Sequence, residues 1–317
     1  MSMKNNIYGL IGIGVKNANW NAGWDKLPKR NGEDVIKGSS YALQYCIKKQ
    51  WENEGKRILG IKTMQKNGSC TTLEQRYIDI FGYKDEGINK NDKDDVKEKK
   101  IKTVRNNLLS CTDILNFGIA YTGATPMSMR GVVQFTDGEN KYEDTMIIEE
   151  KILSPYSNSN SEDATMNTNG TKFTTDEAHY VYDFSIFPKE YDKYINEGFD
   201  GYTEKDYEDF KKASLIAVSN YNSKAKAGCK NEFAMFIKAK ESENYLLDLN
   251  CLQDYVKVYK NDDEIVYDLT IVGNLLDEII NKIEDVEVYY NPRTIGIKGI
   301  KKNEKIKMFD IITRKEL

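Results

Sequence analysis

Apolar positions crowd the start of the chain. Residues 7–15 (IYGLIGIGV) read as a strand in which Ile7, Leu10, Ile11, Ile13 and Val15 are separated by Gly9, Gly12 and Gly14. A polar loop rich in asparagine, glycine and tryptophan follows, with a basic tip at Lys26, Lys29 and Arg30, then a short extended piece at 34–37. Gly38-Ser39-Ser40 leads into a helix over 41–51, for which Ser39 or Ser40 is a good N-cap. Tyr41, Cys46 and Ile47 are expected to share a face with Ala42 or Trp51, leaving Gln44, Lys48 and Lys49 beside the cap. The free amides of a first helical turn, with the helix dipole, bind phosphate. Strand, basic loop and capped basic helix therefore make a candidate cradle for a nucleic-acid backbone.

Further along, 59–63 is short and apolar, Asn67-Gly68-Ser69 is a turn, and Thr71 or Thr72 opens a helix through Phe81. Residues 85–105 are dominated by charge and read as a solvated loop leading to a surface helix. Helical spacing continues over 104–117, with Val104, Leu108, Cys111 and Leu115 on one stripe. Strands are expected at 132–135 and 145–153 around an Asp137-Gly138 turn. The stretch 154–175 is rich in Ser, Asn and Thr and reads as a mobile loop or hairpin. An alternating strand over 178–187 precedes a helix over 202–221, capped by Thr203 with Asp206 at N3 and with Phe210, Ala213, Leu215, Ala217 and Val218 inward. The small, basic segment 222–228 carries Lys224 and Lys226, either as a backbone contact or as incidental surface charge. Strands at 233–239, 245–252, 256–259 and 264–270, a helix at 274–284, a strand at 286–290 and an extended, basic 295–309 complete the chain. Hairpins and long insertions interrupt the alternation of strands and helices, which favours an α+β domain with a mainly antiparallel sheet.

Composition removes several chemistries. Among 317 residues there is one histidine, His179, so multi-histidine metal sites are excluded, and its alternating context makes it a structural strand residue. The glycines of 7–15 stand inside a strand, against a dinucleotide fingerprint, and no Lys-Ser/Thr follows the Gly118–Gly123 spacing, against a P-loop. Asp92, Asp94 and Asp95 suggest calcium, but Lys97 stands where that loop needs glycine. Five scattered cysteines read as reduced thiols, and no metal or cofactor is expected. With no apolar run of about 18 residues and no apolar leader, the chain is expected in the cytoplasm, away from membranes. A net charge of −4 and a pI near 5.4 weigh against a generic nucleic-acid binder, although a local basic groove would suffice.

The same residues resemble the Cas-seven family, the backbone subunit of Cascade in type I CRISPR systems. The resemblance rests on the first strand, the loop Asn17-Ala18-Asn19-Trp20-Asn21-Ala22-Gly23, and the serine-started helix with Lys48-Lys49. Agreement continues through FGIAYTG…RGVVQF (117–135), AHYVYDFSIFP (178–188) and SKAKAGCKNEFAMF (223–236), closest to type I-B. It implies a single domain over 1–317 with an RNA-recognition-motif-like (ferredoxin-like) palm (1–60, 126–152 and 176–317), helical fingers at 61–125 and a thumb at 153–175. It further implies a non-catalytic subunit whose copies assemble head to tail on a CRISPR RNA. That guide pairs with target DNA, and other Cascade subunits complete the complex. By this resemblance Asn17, Asn19, Lys37, Ser39, Ser40, Gln44, Lys48 and Lys49 contact the guide backbone, with the region of Lys224 and Lys226 also facing RNA; Trp20, Asn21, Lys26, Lys29 and Arg30 of the same loop join them as candidates. Met166 and Phe173 are the thumb side chains suited to wedging between bases, and Lys172 to meeting a phosphate.

The first strand lacks the aromatic signature of a base-reading RNA-recognition motif, so RNA would be gripped by its backbone. A different reading is a metal-dependent ribonuclease using an aspartate after the first strand, as in related type III subunits. Asp25 and Asp34 lie there, without the clustered acids of two-metal chemistry.

Overall fold

The first strand is apolar on both parities because both of its faces are covered. In the computed structural model, which describes residues 2–153 and 168–317, β1 (Ile7–Ala18) is buried continuously from Ile7 to Val15. It runs antiparallel between β8 (Thr168–Ile186) and β9 (Cys229–Ala239). Its odd positions, Ile7, Ile11, Ile13 and Val15, face one core, and Tyr8 and Leu10 face the other. Gly9 is required by close approach: a Cβ there would overlap the Met235 carbonyl and the Phe184 ring.

After β1 come β2 (Lys37–Gly38) and α1 (Ser40–Asn53). Helices α2 (Leu73–Phe81), α3 (Asp94–Leu109) and α4 (Thr112–Phe117) follow, then a hairpin of β3 (Gly118–Tyr121) and β4 (Met127–Arg130). Three strands, β5 (Val133–Phe135), β6 (Gly138–Asn140) and β7 (Ile147–Leu153), all pair with β8. The rest is α5 (Glu204–Ser214), β10 (Lys257–Asn261), β11 (Glu264–Asp268), α6 (Thr270–Ile279), β12 (Ile283–Tyr290), β13 (Ile295–Lys298) and β14 (Ile306–Asp310), together with β9 already described. Among the described residues the main sheet has nine strands, in the order β14-β12-β9-β1-β8-β6-β2 with β5 and β7 also on β8. A second sheet, β10-β11-β13, packs on the Tyr8 side with α6. Among the described strands, pairing is antiparallel except for β12 with β14 and β11 with β13. The chain is thus mixed α+β with mainly antiparallel sheets, as the sequence led us to expect.

Local chemistry explains several boundaries. Thr72 accepts the Gln75 amide at 3.1 Å, and Thr203 forms a full capping box with Asp206. Within 154–175, the described part is a strand: β7 and β8 pair from Ile147 opposite Thr175 to Leu153 opposite Thr168. Cys46, Cys111 and Cys229 are buried free thiols, while Cys70 and Cys251 are exposed. His179 sits in β8 with Nδ1 2.5 Å from Glu232 Oε1, which also accepts Tyr267 Oη–H at 2.6 Å, so its place is structural.

Other expectations need correction. Tyr41 is 79% exposed; the inner face of α1 is Leu43, Cys46, Ile47 and Trp51. The stripe over 104–117 is broken at Cys111, whose backbone is extended, so two helices replace one. The helix begun by Thr203 ends at Ser214 and gives way to turns. Residues 245–252 form turns rather than a strand, with Cys251 in the left-handed region at φ 69°. The later helix begins at Thr270 rather than 274, because Asp268 accepts the Thr270 amide at 3.1 Å and starts the turn early.

Candidate nucleic-acid interface

Three distant segments converge where β1 ends. The Lys16 amide donates to the Gly228 carbonyl at 2.9 Å and the Asn19 amide to the Ala225 carbonyl at 3.3 Å, laying the 223–228 loop along the strand. The Asn19 side-chain amide donates to the carbonyls of Phe173 and Lys26, each at 3.2 Å. Thr175 Oγ1 donates to the Ala18 carbonyl at 3.1 Å. One asparagine thereby ties the β7–β8 hairpin and the basic tip to β1. Asn17 beside it is exposed with φ 49°, a left-handed conformation that asparagine tolerates.

Cations collect on this junction. Lys26 and Lys224 are exposed and Lys29 is half-exposed, and none has an ion pair among the described residues. Lys226 is half-buried over the Trp20 ring, 4.4 Å from its centroid, and donates to the Trp20 carbonyl. Burial lowers its pKa from the ordinary lysine value, and no carboxylate pairs with it among the described residues. Arg30 is bound to Asp34 at 3.0 Å, and Lys172 to Glu150 at 3.2 Å.

The start of α1 carries its anion already. Ser39 holds the N-cap position, but its hydroxyl makes no cap bond, and its amide donates to Asn21 Oδ1 at 2.8 Å. The Ser40 amide donates to Asp137 Oδ1 at 2.9 Å, and Lys37 Nζ to Asp137 Oδ2 at 2.7 Å. Partial burial pushes the Asp137 carboxyl up, and the Lys37 ammonium and Ser40 amide more than offset it, leaving its pKa below the usual value. Gly38 is required here, since a Cβ would fall on Tyr182 Oη and Trp20 Nε1.

The structure turns two of the expected RNA-facing side chains inward. Trp20 is fully buried and donates Nε1–H to Tyr182 Oη at 2.5 Å, so it is a floor for the junction and offers no face to a base. Lys48 bends into the protein, donating to the Gly60 carbonyl at 3.2 Å, with Asp113 Oδ2 3.9 Å away. Asp113 is itself buried and held by the Leu59 and Gly60 amides. Lys49 pairs with Glu52 at 2.5 Å, and Gln44 is half-exposed. Phe173 contributes its carbonyl to the junction, and Met166 lies outside the described residues. Asp25 caps its own turn by accepting the Leu27 amide at 3.0 Å. Asp137, Tyr182 and Thr175 brace this junction from within and were missed by sequence reasoning; Asp137 was visible only as half of a turn.

The profile of the CRISPR-associated protein Cas7 family matches residues 5–288. The chain belongs to the Cas7 family. No curated protein is similar enough in sequence to register as a relative of this Cas7 chain. Among solved structures, a chain of a "CRISPR RNA-guided surveillance complex, pre-nicking" superposes with a TM-score of 0.51 at 10% identity, covering 96% of each chain. A chain of a "CRISPR RNA-guided surveillance complex" gives 0.48 at 10% identity, over 90% of this chain and 88% of the other. The first likeness is one of fold, and it spans nearly the whole of both chains.

Proposed function

We propose that this Cas7 chain is the backbone subunit of a type I CRISPR Cascade complex, of type I-B. Copies assemble head to tail along the CRISPR RNA in the cytoplasm as a helical filament and hold the guide for pairing with target DNA. Other Cascade subunits cap the assembly. The chain itself cuts nothing: Asp25 caps its own turn and Asp34 is paired with Arg30, which fits a scaffold.

The observation that carries this reading is the junction at the end of β1, where Asn19 joins the hairpin and the basic tip, and the 224–226 loop adds its lysines. Lys26, Lys29, Lys224 and Lys226 grip phosphates there, with Asn17 and Asn21 donating hydrogen bonds and Asn19 holding the three segments in place. The Ser39 and Ser40 hydroxyls and Gln44 extend the track along α1, where Asp137 already holds Lys37 and Glu52 already holds Lys49. The nine-stranded sheet serves as the RNA-recognition-motif-like palm, 61–125 as fingers and 153–175 as thumb, with Phe173, Lys172 and Met166 on the thumb. No helix of the described residues is long and apolar enough to cross a membrane, in keeping with a cytoplasmic complex.

Sedimentation with single-stranded RNAs of increasing length tests the proposal. Mass should rise in steps with RNA length at low salt and collapse at high salt. A protein that stays monomeric with every RNA overturns it.

A further inference from the structure

Three tryptophans divide sharply. Trp20 and Trp51 are fully buried, while Trp24 is as exposed as in an extended chain, at 104% relative accessibility. A ring so displayed has its whole face open to a planar partner. The turn that displays it is fixed on both sides. The Gly23 amide donates to the Leu27 carbonyl at 2.7 Å, the Lys26 amide to the Gly23 carbonyl at 3.2 Å, and the Lys29 amide to the Asn21 carbonyl at 3.0 Å. Asn19 anchors the same turn to the hairpin through the Lys26 carbonyl. Trp24, Leu27, Lys29, Arg30 and Ile147 border an open recess beside the base of that hairpin.

We infer that Trp24 is a stacking platform for one unpaired nucleobase of the strand held at the junction. This rests on the backbone-gripping reading above and adds a contact to the base itself. Stacking on a π-face tolerates any base, so it suits a protein that must hold every guide equally. Lys26, two residues on from Trp24, and Lys29, on the border of the same recess, are unpaired by any carboxylate among the described residues and are free to meet the flanking phosphates. Lys26, Lys29 and Arg30 against the carboxylates of Asp25 and Asp34 leave this rim net basic, which fits an anionic polymer with planar bases better than the apolar face of another protein. The backbone of the turn is held before binding, so little main-chain freedom is lost when a base arrives.

Fluorescence tests it directly, since Trp24 is the one tryptophan open to a water-borne quencher. A 30-nucleotide oligouridylate should quench its emission and shield it from acrylamide, whereas inorganic polyphosphate, a backbone without bases, should not. Trp24→Ala should weaken oligouridylate binding about 5- to 150-fold with an unchanged salt slope, and Trp24→Phe should restore most of the affinity. If oligouridylate binds while Trp24 stays open to acrylamide and Trp24→Ala binds as well as the native chain, the inference fails and the backbone reading stands. Equal shielding by polyphosphate, or shielding by raised protein concentration alone, also overturns it. No binding of oligouridylate at all removes the backbone reading and this inference together.

Discussion

Asp137 allows a test in which stability and RNA binding move in opposite directions. Its carboxylate accepts the Ser40 amide and the Lys37 ammonium, so the protein fills with its own anion the place where a phosphate would otherwise sit. In Asp137→Ala the lost cap costs about 1 kcal/mol and the lost charge at the helix start roughly 0.5 kcal/mol. The ion pair adds about 0.5 kcal/mol, discounted because both side chains are partly exposed, at 29% and 38%. The sum, roughly 2 kcal/mol, should lower Tm by about 3–6 °C. Yet Lys37 and the Ser40 amide become free for a phosphate. RNA affinity measured at low salt should rise, and the slope of log affinity against log salt should steepen by about 0.7, one more phosphate on a single strand. Asp137→Asn should keep most of the cap and show the same steeper slope. Titration of a labelled single-stranded RNA at several salt concentrations provides the assay. A folded Asp137→Ala protein with weaker binding and a shallower slope would refute the reasoning, and Asp137 would then be the residue that orients Lys37 toward RNA.

Lysine position separates a gripping surface from a structural one. Lys224→Met should make the salt slope shallower by about 0.7, whereas Lys48→Met, whose ammonium points at Gly60 and Asp113, should leave it unchanged and reduce stability instead. Asp183 should make stability depend on pH. Burial lifts its pKa from 3.8 to about 7 although the Gln253 amide donates to it. Because the folded value is the higher one, its contribution is complete below the unfolded value and is lost as pH rises through 7. Between pH 5 and 8 the native chain should lose roughly 2–3 kcal/mol relative to Asp183→Asn, read as the difference between their urea unfolding curves. Gly38→Ala should cost about 2–3 kcal/mol, because its methyl must displace the Trp20–Tyr182 pair; a midpoint of urea unfolding equal to the native one would show that the pair can move aside.

What the sequence disclosed was chemistry settled by near neighbours. The unbroken apolar run of β1 announces a strand covered on both faces, and Thr203 with Asp206 three residues on announces a helix start. What it withheld depends on partners far along the chain. Trp20 and Trp24 are four residues apart in a loop of similar composition, and only Tyr182 and Lys226 decide that the first is a floor and the second a display. Lys48 and Lys49 are adjacent, yet Asp113 takes one inward and Glu52 holds the other at the surface. Asp137 looked like a turn residue because the helix it caps lies 97 positions earlier. The small residues and lysines of 224–226 marked a flexible basic loop, but the bonds that lay it against β1 join residues about 200 positions apart.

The central strand also sets a schedule. β1 leaves the ribosome well before its partners, which begin at Thr168 and Cys229, and its second edge is covered only when Ala239 has been made. At roughly 5–20 residues per second, its most apolar segment waits roughly 10–45 s with unpaired edges. Pairing across such separations is slow, and an exposed strand edge is a template for the wrong neighbour. Expression should therefore be limited by the nascent chain more than by the finished fold. Slower growth or a chaperone that covers an early apolar strand should raise the soluble yield more than any change to the mature surface.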